Sequence, residues 1–154
     1  MIKKGAEVPK PQKDVDYTSN NPEYGNLSEI AGKTNVCLRV TDAKSREIIV
    51  KAINKQLNFR VWDNRKDCDF GIWFALESRN VGSNVLLGTV NNIIVIGRMI
   101  VYTWLPVNEG ETVGRIRILW QKDKTQDYSG GLTFDKHPAN SINDFLKAHK
   151  KLDK

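Results

Sequence analysis

The side chains best equipped for chemistry are few, and their spacing narrows what they can do. Asp63, Asp67 and Asp69 fall within one short stretch, and such carboxylates can supply the oxygen ligands that calcium takes. Arg65 and Lys66 sit among them and oppose a dication, so the stretch reads as a solvated, internally salt-paired loop. His137 and His149 are the only histidines, and neither stands near a recognisable nucleophile. There is no Gly-x-Ser-x-Gly, and no glycine-rich loop followed by Lys and Ser or Thr to cradle a phosphate. Cys37 and Cys68 lack the close spacing of a zinc site. They read as two small core residues of a reducing compartment, the alternative being a disulfide between neighbouring strands. The expectation is a protein that is not an enzyme, with no cofactor, no metal and no catalytic residue.

Binding chemistry is better supplied. Arg115 and Arg117 project from one face of a strand, Lys122 and Lys124 follow, and Arg98 on a neighbouring strand would complete a basic patch. Near an anionic leaflet each such residue contributes about 1 kcal/mol, so the patch suits anionic lipid headgroups. Lys147, Lys150, Lys151 and Lys154 form a second basic element, and the chain carries a net charge of +6. Trp62 and Trp73 point away from the apolar sets of their strands and are the candidates for contact with a protein partner. Exposed aromatics beside basic residues also suit stacking on a single-stranded nucleic acid, which makes that the competing partner.

These residues must be held by elements that the pattern outlines. Residues 1–33 read as a flexible N-terminal arm, with Pro9, Pro11 and Pro22 opposed to regular structure, and Tyr17 and Tyr24 available to dock on the domain. From Asn35 the period becomes two, the mark of strands. Strands are expected over Val36–Val40, Glu47–Ala52, Leu57–Val61, Phe70–Phe74, Ile93–Ile96, Met99–Trp104, Arg115–Trp120 and Leu132–Phe134. Along the seventh, Ile116, Ile118 and Trp120 share one face. Residues 138–154 read as an amphipathic helix with Ser141 as cap and Ile142, Phe145, Leu146 and His149 on one side. The most apolar run, Asn92–Val101, is broken by Gly97 and Arg98 and is too short to span a membrane. The fold class expected is mainly β, an antiparallel β-sandwich of about seven to eight strands over residues 34–137 with a C-terminal α-helix.

The stretch from Leu57 to Phe74 resembles the signature of the GOLD (Golgi dynamics) domain. Leu57, Phe59 and Val61 match its apolar strand, and Asp67, Cys68, Phe70, Gly71 and Ile72 match the segment after its polar loop. Gly114, Ile116, Ile118 and Trp120 match a late strand, with Pro106 and Gly110 before it, although Gln121-Lys122 replaces the Asp-Asn the family often has there. The resemblance covers roughly residues 36–135. It implies a β-sandwich adaptor for protein–protein and membrane contacts in trafficking, in the cytoplasm and peripheral at Golgi or other membranes. The alternatives are a structural assembly subunit, such as a viral coat or tail protein, and a single-stranded nucleic-acid binder.

Overall fold

The computed structural model describes residues 16–56, 58–85, 88–128 and 136–152. Six strands, β1 (Asp16–Tyr24), β2 (Asn35–Val40), β3 (Arg60–Trp62), β4 (Phe70–Val85), β5 (Gly88–Trp104) and β6 (Val113–Tyr128), form one sheet. Its order is β1-β6-β5-β4-β2-β3. The described residues also form two helices, α1 (Ala43–Asn54) and α2 (Lys136–Lys151), and 3-10 turns at Leu27–Ile30 and Arg65–Asp67.

The protein is therefore mainly β with a C-terminal helix, but the described strands make one mixed sheet and not an antiparallel sandwich. β4, β5 and β6 run antiparallel in sequence. β2 lies parallel to both β3 and β4, and β1 lies parallel to β6. The supposed hairpin from Leu57 to Phe74 does not exist: β3 and β4 flank β2 on opposite sides and never meet. Leu57, and the expected strand Leu132–Phe134, lie outside the described residues.

The expected second strand is the helix α1. Asp42 accepts a hydrogen bond from the Ser45 amide at 2.9 Å and caps its start. Ser45, Ile49 and Ile53 recur at every fourth residue and are its buried face. The branched run Ile48-Ile49-Val50 alternates like a strand over three residues; over twelve the period is helical. α2 begins earlier than Ser141, which is buried inside it, and Pro138 occupies the first turn, where its missing amide costs little. Ile142, Phe145, Leu146 and His149 are buried together.

Both helices cover the same face of the sheet. There Ile49, Ile53, Ile142 and Phe145 pack on Val36, Phe70, Ile72, Phe74, Met99 and Val101 in the main core. His149 belongs to this layer: its Nε2 lies 3.1 Å from the Ile30 carbonyl oxygen, and its ring packs on Phe59, Phe70 and Phe145. Within the span read as an arm, β1 adds to the edge of the sheet, with a bulge between Thr18 and Glu23 where Asn21 takes φ 55°. Tyr17 packs on the sheet; Tyr24 is exposed.

Cys37 on β2 and Cys68 ahead of β4 form a disulfide, with Cα atoms 5.7 Å apart. This corrects the expectation of two reduced core thiols. Val36 pairs with Phe70 and Cys37 with Gly71 in adjacent parallel strands, so Cys68, just ahead of β4, comes within bonding reach of Cys37 from the neighbouring strand.

Candidate functional site: the uncovered face of the sheet

The face away from the helices carries its own apolar cluster: Ile100, Tyr102, Ile116 and Ile118, with Tyr17, Trp73 and Trp104 packed against it. Two strand glycines seat the tyrosines. A Cβ at Gly71 would stand 2.6 Å from Tyr102 Cζ, and one at Gly114 would stand 2.5 Å from Tyr17 Cε1. Each glycine is the registered neighbour of the tyrosine it seats, Gly71 beside Tyr102 and Gly114 beside Tyr17. Burial pushes the Tyr102 phenol up, and the Arg39 charge partly opposes this.

Above this cluster lies a groove of about 590 Å³. Trp73, Ile100, Tyr102 and Ile116 form its floor; Arg39, Arg46 and Arg98 stand around it; Thr18, Ser19 and Thr41 bring hydroxyls. The volume falls in the range of ligand sites, and such sites combine an apolar floor with a few polar groups in this way. Arg98 is held by a bidentate pair to Asp123, at 3.0 and 3.1 Å. Arg46 makes a loose pair with the fully exposed Asp63 at 3.8 Å, and Arg39 is exposed.

The basic patch expected on β6 is placed differently. Tyr102 pairs with Ile118 and Val101 with Trp120, so Leu119 is an extra residue in β6. The bulge turns Leu119 and Trp120 toward the helices and leaves Ile116 and Ile118 on the open face, so Trp120 does not share their side. Arg117 binds Glu29 at 2.8 and 3.0 Å and Glu23 at 2.6 Å. Its guanidinium holds the Glu29 carboxyl below the usual carboxylate range. Lys124 and Lys122 reach Asp144 of α2, at 2.8 and 3.9 Å, and Lys124 holds that carboxyl down. Of the five basic residues, Arg115 alone is exposed with no ion pair among the described residues. They do not converge: Arg98 belongs to the open face and the other four to β6. Lys147, Lys150 and Lys151 are exposed on α2, and Lys154 lies outside the described residues.

Trp73 lines the groove, half-buried. Trp62 is 37% exposed on the edge strand β3, where its indole N–H donates to Asn35 Oδ1 at 2.9 Å. The carboxylate stretch is structural: Asp69 accepts from the Asn35 amide and side chain, both at 3.1 Å. No metal-holding group of His, Cys, Asp or Glu occurs among the described residues. Sequence reasoning missed Arg39, Arg46 and Tyr102, and it expected Tyr17 to dock on the domain without placing it in a groove. The signal that points to the tyrosines is a glycine inside a strand pattern, which marks close approach of another group.

No family model and no curated protein matches the chain. Three solved structures are similar in part. Rare lipoprotein B from Shewanella oneidensis has 13% identity and a TM-score of 0.45, covering 78% of this chain and 96% of that one. The hypothetical protein CT253 from Chlamydia trachomatis has 10% identity and a TM-score of 0.36, covering 78% and 93%. Lipoprotein GNA1162 from Neisseria meningitidis has 7% identity and a TM-score of 0.30, covering 77% and 99%. Likeness this distant says nothing of activity or ligand. The GOLD resemblance does not hold: its hairpin is absent and no family model matches. The Golgi location came with that resemblance and falls with it. No helix among the described residues is long and apolar enough to cross a membrane.

Proposed function

We propose that this chain is a non-enzymatic binding module that works in an oxidising compartment and takes an acidic, partly apolar segment of a partner protein in the groove on its open sheet face. The observation that carries the reading is the unequal treatment of the two faces. One is sealed by both helices, while the other offers a floor of Trp73, Ile100, Tyr102 and Ile116 under Arg39, Arg46 and Arg98. Trp, Tyr and Arg are the residues in which binding energy concentrates at protein interfaces, because they bury large area with few rotors and keep a polar handle. The arginines complement carboxylates, and Arg39 is the one with room to do so. The disulfide supports the compartment, since such bonds persist outside the reducing cytoplasm.

Selection of short random peptides displayed on phage against the immobilised protein tests this. Enriched peptides should combine Asp or Glu with aromatic or branched apolar residues. Their affinity should fall at least about tenfold, or 1.4 kcal/mol, in Trp73→Ala and in Arg39→Glu. Enrichment without acidic bias, or equal binding by both variants, would remove the groove as the site. If the protein instead pelleted with anionic vesicles and the Arg39→Glu change abolished this, lipid headgroups would replace the protein segment as its partner.

A further inference from the structure

We infer that Tyr17 and Trp104, the latter backed by Tyr102, form a cation seat on the open face, filled in this state by the protein's own Arg65 and vacated when the Cys37–Cys68 disulfide is reduced. The ligand class is a guanidinium or a quaternary ammonium, such as an arginine side chain of a partner. This goes beyond the acidic-segment reading, because it concerns the opposite charge and the side of Tyr17 that meets Trp104, although Tyr17 also lines the groove.

The seat has the geometry that holds cations. Tyr102 and Trp104 meet edge to face with centroids 5.4 Å apart and planes at 79°, and Tyr17 meets Trp104 at 6.5 Å and 71°. These edge contacts fix the rings against one another, and a cation is attracted to the electron-rich face of a ring so held. The Arg65 guanidinium carbon lies 4.4 Å from the Tyr17 centroid and 5.2 Å from that of Trp104. The tyrosines are built into place by Gly71 and Gly114, whose missing side chains let the rings lie against the sheet. The seat therefore belongs to the rigid sheet, and Arg65 is the part that arrives.

Arg65 arrives on a short tether. It opens the three-residue 3-10 turn Arg65–Asp67, which Cys68 ends by donating its amide to the Arg65 carbonyl. The preceding strand β3 is only three residues long. Cys68 is covalently bound to Cys37 in the middle of β2, so the disulfide fixes the turn, and with it Arg65, over the rings. Cys68 is half-buried and Cys37 buried, so attack comes at Cys68. A dithiol reductant supplies the balance. Its first thiolate bonds to the Cys68 sulfur, the S–S bond breaks, and the Cys37 thiolate leaves and takes a proton. The second thiol of the reductant then displaces Cys68 as a thiol, and the reductant departs as its own disulfide.

The test uses the full chain labelled with 15N and follows the Trp104 indole signal, assigned with Trp104→Phe, during titration with N-acetyl-L-arginine amide. The oxidised wild type should give little or no shift. Arg65→Ala and the dithiol-reduced wild type should each give a saturable shift, with apparent affinity at least about tenfold above that of the oxidised wild type. Arg65→Gln keeps the side-chain bulk without the charge and should behave like Arg65→Ala. Absence of a shift in both Arg65 variants would overturn the cation seat. Equal titrations of oxidised and reduced protein would overturn control by the disulfide. Neither result touches the peptide selection, which is read on Arg39 and Trp73.

Discussion

Gly71 and Gly114 stand where the open face would otherwise carry a side chain beneath an aromatic ring. Gly71→Val would drive a branched group into Tyr102, which is buried to 4% exposure. Overpacking of this kind costs about 1–3 kcal/mol, and the expected result is a lower thermal midpoint together with an altered near-UV aromatic signal. His137 makes a second residue-scale prediction. Burial, and then the Lys124 charge, hold its pKa below the ordinary 6.5. The unfolded chain therefore takes up the proton first, so stability is complete above about pH 6.5 and is lost as pH falls from there toward the folded value. Glu29 and Asp144 have depressed values too, so their contributions are present above the ordinary 4.5 and 3.8 and are lost below them. Thermal melts between about pH 7.5 and pH 3 should show two descending steps, and His137→Asn should remove the upper one only. A flat profile between about pH 7.5 and pH 5 in the wild type would refute the histidine assignment.

At the scale of elements, the sequence was readable where its period ran long and misleading where it ran short. In α2, Ile142, Phe145, Leu146 and His149 repeat over two turns and are the buried face of a helix, although it starts before the expected Ser141 cap. In α1 the apolar run Ile48-Ile49-Val50 is branched and looks like a strand. The signals that decide it are the Asp42 cap and the Glu47–Lys51 pair at 3.3 Å, four residues apart. Ile49→Ala, at a fully buried position, should cost about 2–5 kcal/mol in chemical denaturation, whereas a strand reading would place Ile49 opposite Ile48 and Val50 and predict a far smaller loss. In β6 one extra residue, Leu119, exchanged the faces of everything after it, and alternation alone cannot reveal a bulge. The basic residues were visible in the chain, but their neutralisation was not: Glu23, Glu29 and Asp144 lie far from Arg117 and Lys124 in sequence.

For the whole molecule, a mainly β fold with a terminal helix could be read from composition and period, but the strand order could not. Parallel neighbours such as β2 and β4 are joined through α1 and β3, and once α1 is read as a strand no crossover remains to suggest them. The disulfide closes a loop of sequence separation 31, and chain-entropy arguments give it about 3–4 kcal/mol. Cys37→Ser with Cys68→Ser should lower the denaturation midpoint accordingly, and the native wild type should resist thiol alkylation until reduced. Prompt alkylation without reductant would contradict the bond.

The pairing of β1 with β6 joins Asp16, at the start of the described chain, to Val113, beyond all the other described strands. Such a contact has very high sequence separation, and contacts of that order form late because the loop entropy must be met before they return anything. During synthesis the first strand must wait, unpaired, until the last has left the ribosome. The groove needs β1 for Tyr17, Thr18 and Ser19, so its lining is complete only once β1 has paired with β6, and a chain stalled before β6 has no such groove.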